Sequence, residues 1–179
     1  MDDGGIVKYD REARPFRSLN AVLEPGMAKP QPVNQSLIDQ AGRLWVATDD
    51  AGLFLFSPGV AAPQVFQNDP DVASSISGNT VTALEQGEGD TIWVGLWRDG
   101  LNRLDVRSGT FEQVLLPGRQ ARDQDVRTLL RQGEHLWVGT SSALFRLSTA
   151  TLQAERWAYS PDVRMESGTD TWLYLSPTN

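Results

Sequence analysis

Short apolar runs alternate along this chain with turns rich in Gly, Pro, Asp and Asn, and no run keeps a helical period. Three of the runs are near copies of one another, each with a tryptophan in its second position, at residues 44–48, 92–96 and 136–140. Trp93 lies 48 residues after Trp45, and Trp137 lies 44 residues after Trp93. A strand-like unit that recurs at this spacing is typical of the blades of a β-propeller.

Each repeat contains four apolar runs, which predict four short strands, A to D, with the tryptophan in strand B. Runs of consecutive apolar residues, such as 53–56, fit a sheet that is packed on both faces. Gly and Asp in the predicted hairpins tolerate the backbone angles of tight turns. Strand A is predicted at 36–39, 81–84 and 126–129 in the three repeats. Strand C is predicted at 52–57, 100–105 and 143–148, and strand D at 64–66, 111–114 and 154–157.

The predicted fold class is therefore all-β: a β-propeller of four-stranded antiparallel blades, with three full blades and partial terminal ones in a single segment over 1–179. Runs similar to strands C and D at 5–10 and 16–19 indicate the remnant of a further blade. A lone strand A is predicted at 172–175. The predicted boundaries are a remnant at 1–32, blades at 33–80, 81–125 and 126–171, and a lone strand at 172–179.

Three blades do not close a ring. Propellers close with about four to eight blades, and closure covers the face of every blade. An open arc would leave two blade faces bare, which soluble monomers rarely tolerate. We therefore expect either a homo-oligomer that closes a ring between two chains or continuation into further repeats. A compact four-bladed monomer is the third arrangement.

Composition narrows the range of partners and locations. The net charge of −7 disfavours a nucleic-acid-binding surface. The absence of cysteine excludes thiol catalysis, zinc–thiolate sites and disulfides, and no apolar run approaches the length of a membrane span. We expect no membrane contact by this segment. The first residues lack the pattern of a signal peptide, so we expect a cytoplasmic protein if the chain is complete and a periplasmic one if it belongs to a longer sensor.

The second repeat carries the most informative motifs. Asn68-Asp69-Pro70 precedes Ser75-Ile76-Ser77-Gly78-Asn79-Thr80-Val81, and the Trp93 strand is followed by Asp99-Gly100-Leu101-Asn102-Arg103-Leu104-Asp105. This segment resembles the two-component regulator propeller repeat, and the resemblance extends over essentially the whole chain. It implies the extracytoplasmic sensor of a membrane-bound signalling protein, either a hybrid histidine kinase or a diguanylate cyclase. The third repeat departs from the pattern, with 117–123 in place of the Asn-Asp-Pro connection.

Candidate ligand-binding residues lie in the turns between strands B and C. Trp97, Arg98 and Asp99 place an aromatic ring and a cation at a loop tip, a combination suited to recognition of an oligosaccharide or a peptide. Asp49 and Asp50 occupy the corresponding turn of the preceding repeat. In a four-stranded blade these turns lie on the same side as the crossovers from strand D to the next strand A.

Other residues favour structural interpretations. The periodic Trp45, Trp93 and Trp137 fit packing between blades better than an aromatic cage, which requires convergence on one point. The acidic pairs Asp49/Asp50 and Asp123/Asp125 could be calcium ligands, but without a recognisable ligand spacing we interpret them as solvated turn residues. His135 is the single histidine and is interpreted as a surface turn residue. We predict no metal, no cofactor and no catalytic residue.

Three functions follow from this sequence. The first is a non-catalytic sensory module that binds a small ligand, with its output domain elsewhere. The second is a propeller that serves as an assembly or protein-interaction platform without a small ligand. The third is a propeller enzyme, such as a lyase or a glycan-cleaving enzyme, which the absence of a convergent acid–base set disfavours.

Overall fold

The computed structural model describes residues 7–10, 14–18, 32–118 and 121–157. The first strands, β1 (Val7–Asp10) and β2 (Arg14–Ser18), form an antiparallel pair. This pair lies where the sequence predicts strands C and D of a blade remnant. The predicted lone strand at 172–175 lies outside the described residues.

Three four-stranded antiparallel sheets follow, each with its strands in chain order. They confirm the predicted β-propeller of four-stranded blades, and we call them blades I, II and III. Blade I comprises β3 (Val33–Ile38), β4 (Leu44–Thr48), β5 (Leu53–Phe56) and β6 (Gln64–Phe66). Blade II comprises β7 (Val81–Gln86), β8 (Thr91–Leu96), β9 (Gly100–Asp105) and β10 (Thr110–Val114). Blade III comprises β11 (Val126–Gln132), β12 (His135–Thr140), β13 (Leu144–Ser148) and β14 (Ala154–Arg156).

The first strand of each blade lies innermost, as in a propeller. β7 contacts β3 on one side and β11 on the other, so the three inner strands are neighbours. Each inner strand has a register shift at the same place, after Val33, Val81 and Val126. This shared irregularity shows that the blades are copies in backbone detail as well as in sequence.

Side chains, rather than a backbone ladder, join the inner strands. The Gln35 amide of blade I accepts a hydrogen bond from the backbone N–H of Leu84 at 2.8 Å and donates one to the Leu84 carbonyl oxygen at 3.0 Å. The Thr82 hydroxyl of blade II donates to the carbonyl oxygen of Val126 in blade III at 2.7 Å. Polar residues of strand A thus hold adjacent blades together near the axis.

The apolar core lies between the blades. One cluster joins Trp45 and Leu53 of blade I to Val81, Leu84 and other residues of blade II. A second cluster joins Trp93 and its blade to the corresponding part of blade III. Burial of these large side chains between sheets is the main stabilising term of the fold.

The three repeated tryptophans occupy equivalent positions. Trp45 is directly opposite Leu37, Trp93 opposite Glu85, and Trp137 opposite Leu130 in the respective A–B strand pairs. Trp45 and Trp93 are fully buried against the next blade, which confirms the packing interpretation. Trp137 is only partly buried, since its position is on the face of blade III that points away from blade II.

The hydrogen bond of each indole N–H is set by the residue two positions after the tryptophan's partner in the first strand of the blade. Trp45 donates to Asp39 Oδ2 at 2.8 Å, and Trp137 donates to Gln132 Oε1 at 3.2 Å. The equivalent residue in blade II is Gly87, which has no side chain, and the buried Trp93 N–H has no hydrogen-bond partner. Burial of Asp39 by itself raises the pKa of its carboxyl, but hydrogen bonds from Trp45 and Arg43 outweigh that effect and lower the pKa below its ordinary value.

The crossover from blade I to blade II is fixed by the residues of the Asn-Asp-Pro and Ser-x-Ser-Gly-Asn motifs. The Asn68 side chain donates to the Ile76 carbonyl oxygen at 2.7 Å, and Asn79 Oδ1 accepts from the Asn68 backbone at 2.8 Å. Asn102, fully buried in β9, accepts from the Ser77 backbone N–H at 2.9 Å. These motif residues therefore shape the crossover and anchor it to the next blade.

Candidate functional site

The turns between the second and third strands of each blade lie beside the start of that blade's inner strand. The backbone N–H groups of Asp49, Trp97 and Ser141 each donate at 3.0 Å to the carbonyl oxygen of a residue just before the inner strand. Their respective acceptors are Pro32, Thr80 and Asp125. This repeated hydrogen bond places the turns and the crossovers on one side of the arc, as the sequence predicts for Trp97.

A groove of about 620 Å³ lies on this side, between blades II and III. We call it the Trp97 groove. Blade II contributes the β8–β9 turn, and blade III contributes its crossover, the start of β11 and the β12–β13 turn. The groove is lined by Trp97, Arg98, Ala121, Arg122, Asp125, Arg127 and Ser141.

Arg127, an exposed residue of the groove lining, is held in place by two contacts. Its guanidinium carbon lies 3.9 Å from the centroid of the Trp97 ring, over the face of the indole. Its Nε donates to the Ser141 hydroxyl at 3.0 Å. The Arg98 guanidinium carbon lies 5.8 Å from the same ring centroid. Cation–π attraction therefore gathers two arginines around one indole.

The crossover into blade III is ordered by a buried aspartate. A short 3-10 helix, Ala121–Gln124, carries Asp123, which accepts a hydrogen bond from the Ser142 hydroxyl at 2.5 Å. Gly118 is packed so closely that a Cβ there would lie 2.3 Å from Asp123 Oδ2. Asp123 and Asp125 are only 1% and 8% exposed, so their interpretation as solvated turn residues is wrong. The hydrogen bond between Ser142 and Asp123 joins residues 19 positions apart, a contact that local sequence does not reveal.

The remaining predicted site residues are not part of the groove lining. Asp99 faces the preceding crossover, where a Cβ on Gly78 would lie 2.1 Å from its Oδ2, and burial raises the pKa of this carboxyl. Asp49 and Asp50 are exposed in the β4–β5 turn of blade I. Among the described residues no group of three or more His, Cys, Asp or Glu side chains could hold a metal ion.

Sequence reasoning found Trp97 and Arg98 but missed the other five groove residues, Ala121, Arg122, Asp125, Arg127 and Ser141. Arg127 lies 30 residues after Trp97 and one repeat further along. The sequence feature that could have indicated Arg127 was its position as the second residue of the predicted strand A at 126–129. The corresponding Thr82 of blade II instead forms a link between blades, so the repeat pattern gave no reason to assign a binding role to that position.

The opposite side of the arc carries a structural ion network. Arg43 Nε lies 2.6 Å from Asp39 Oδ2, and Arg43 Nη2 lies 3.2 Å from Asp90 Oδ1 in the next blade. Arg107 Nε lies 2.6 Å from the other oxygen of Asp90. This network joins the A–B turns of blades I and II, and its cations are neutralised by carboxylates.

Comparison with known proteins finds similar solved structures but no similar sequence family. No family model and no curated protein matches the chain. The structure is similar to the extracellular domain of a protein named as a hybrid two-component system from B. thetaiotaomicron, with a TM-score of 0.69 and 20% identity over 88% of this chain and 22% of that one. A second such extracellular domain from B. thetaiotaomicron matches with a TM-score of 0.65 and 23% identity, over 86% of this chain and 20% of that one.

The chain thus spans about a fifth of the length of these solved structures. In the described part of the chain, no helix is long and apolar enough to cross a membrane. The matches support, at the level of fold, the resemblance that the Asn-Asp-Pro and Asp-Gly-Leu-Asn motifs indicate. This chain has the β-propeller fold of the extracellular domains of hybrid two-component system proteins.

Proposed function

We propose that this chain is a ligand-binding segment of the extracytoplasmic, periplasmic sensor domain of a bacterial signalling protein, and that it is not catalytic. The output domain, a histidine kinase or a diguanylate cyclase, would lie elsewhere in that protein. The fold shared with extracellular domains of two-component system proteins supports the sensory role. The Trp97 groove is the observation that carries the binding role.

The groove has the features of a recognition site rather than of a reaction centre. An indole and three arginines supply an apolar surface and hydrogen-bond donors, the combination that small-molecule sites use for orientation and specificity. The two walls come from different blades. A ligand held between them would favour one relative arrangement of the blades, and a tethered output could respond to that change in population.

A thermal-shift screen of oligosaccharides and peptides tests this function. A ligand that binds only the folded chain stabilises it by about 2.7 kcal/mol at roughly 100 times its Kd, so the unfolding midpoint rises. Trp97→Ala is expected to abolish the shift. Ile38→Ala is the control, because it truncates an apolar side chain that is 71% exposed in blade I, outside the groove. A flat screen with the wild-type chain would contradict the binding role.

A second function, assembly through ring closure, is supported by the outer face of blade III. Trp157 is 46% exposed and lies edge-on to Trp137 with 5.2 Å between ring centroids. Leu130, opposite Trp137 on the same face, is 38% exposed. An exposed aromatic pair of this kind favours contact with another blade, from a second copy of the chain.

Light scattering tests the assembly. We expect a mass near twice 19.7 kDa for the wild-type chain, and a monomer for a chain with Trp157→Ser. Arg107→Ser is the control and should remain dimeric, because Arg107 lies in the β9–β10 turn of blade II, away from the outer face of blade III. Ring closure would be contradicted if the wild-type chain has the mass of a monomer even at about 100 times the Kd of a typical dimer of micromolar affinity.

A further inference from the structure

We propose that the Trp97 groove recognises an oxyanion, a carboxylate or a sulfate, on a small soluble ligand, and that Arg127 is its principal contact. This inference rests on the proposed binding function and names the ligand chemistry of the same site. It assigns Arg98 and Arg122 as supporting contacts.

The charge balance of the groove points to a negatively charged ligand. Among the other arginines whose side chains are described, five of six lie within 4.0 Å of a carboxylate. The five are Arg43, Arg103, Arg107, Arg146 and Arg156, and the exception is Arg131. In the same part of the chain, none of the three groove arginines has an ion-pair partner. Three guanidinium groups face one carboxylate, that of Asp125. A chain of net charge −7 that leaves these cations unpaired at one site creates a local excess of positive charge.

The conformation of Arg127 suits bidentate binding of an oxyanion. Its guanidinium carbon lies over the Trp97 ring, 3.9 Å from the centroid, and its Nε donates to the Ser141 hydroxyl at 3.0 Å. Stacking on an indole leaves the in-plane N–H donors of a guanidinium available. Among the described residues, the Nη atoms of Arg127 have no hydrogen-bond partner. Two parallel N–H donors in a fixed plane match the two oxygens of a carboxylate or sulfate.

The same features exclude a long polyanion. A groove of about 620 Å³ has room for a ligand of a few rings or residues. The remainder of the chain is acidic, and its field repels an extended chain of phosphates. We therefore expect a small anionic ligand rather than an extended polyanion.

Calorimetric titration of the 179-residue chain at low salt tests this chemistry. The probes are glucuronate and glucose, which differ in one carboxylate, together with N-acetylglutamate and inorganic sulfate. We expect glucuronate, N-acetylglutamate or sulfate to bind at least about tenfold more tightly than glucose, with an affinity that falls as salt is added. The strongest of the three then identifies the source as an acidic sugar, an acidic peptide or a sulfate group.

Variants locate the contact. Arg127→Gln is expected to weaken binding of the preferred anion by about tenfold or more, and Arg127→Lys to restore only part of it, since lysine lacks the planar pair of donors. Arg122→Gln, an exposed position, gives a second test with a smaller loss. Arg107→Gln is the control, because it removes the same charge from a side chain 84% exposed and away from the groove. Its affinity should equal that of the wild type.

The outcomes separate this inference from the function on which it rests. Equal affinity for glucuronate and glucose, or anion binding that Arg127→Gln and Arg122→Gln leave unchanged, overturns the inference while a ligand-binding groove stands. If the wider screen of saccharides and peptides also gives no thermal shift, the proposed function falls as well. If Arg107→Gln weakens anion binding as much as Arg127→Gln does, the binding reflects the overall charge of the protein, and this result also overturns the inference.

Discussion

Trp45→Ala is expected to lower the free energy of unfolding by about 3–5 kcal/mol, the range for truncating a large buried aromatic residue. The Trp45 ring is fully buried between blades I and II and stacks on Phe66 with 6.0 Å between ring centroids. Its removal opens a cavity at the interface and leaves the Asp39 carboxylate without one donor. Urea unfolding monitored by circular dichroism measures the change.

Trp137→Ala is the matched control, since Trp137 occupies the equivalent position in blade III but is only partly buried. We expect a loss of only about 1–2 kcal/mol there, because less apolar area is removed from water in the folded chain. Trp45→Phe separates the two contributions of Trp45 itself, because it keeps a ring but removes the hydrogen bond to Asp39. Equal losses for the alanine variants at 45 and 137 would contradict the difference in burial between the two tryptophans.

The sequence predicts the blades correctly because the packing between neighbouring blades is the same in each repeat. Trp45 and Trp93 are buried because each strand B meets the next blade, and a packing requirement copied in every unit leaves a periodic sequence. Residue Asp39 shows the limit of that reasoning. The apolar pattern predicts it inside a strand at 36–39, but β3 ends at Ile38, and the Asp39 carboxylate accepts hydrogen bonds from Ala41, Arg43 and Trp45. Apolar pattern alone does not distinguish the last strand residue from the first turn residue.

The candidate site was only partly predictable, because a binding site is where the copies differ. Trp97 stood out as an aromatic residue at a position occupied by Asp49 and Ser141 in the other repeats. Arg127 did not, since the sequence does not distinguish an exposed arginine that lines a groove from any other exposed charge. Its role depends on the 3.9 Å approach to Trp97 across the interface between blades, a distance fixed by the tertiary structure.

The glycines that end the β4–β5 and β8–β9 turns are expected to differ in their tolerance of alanine. Gly52 and Gly100 occupy the same place, with φ of 84° and 79°, a conformation that costs an L-residue about 1–3 kcal/mol. A Cβ on Gly52 would lie 2.2 Å from the Phe66 carbonyl oxygen, whereas one on Gly100 would lie 2.8 Å from the Gln124 side-chain oxygen, which can move.

Gly52→Ala should therefore destabilise the chain by more than Gly100→Ala, because the backbone of β6 must shift to admit the methyl group. Gly59→Ala isolates the conformational cost, since Gly59 has φ of 76° and open space around it. We expect the losses in unfolding free energy, from the same urea experiment, to increase from Gly59 through Gly100 to Gly52. Similar values at all three positions would mean that backbone conformation alone sets the cost, and that the β4–β5 turn is not closely packed against the outer strand of blade I.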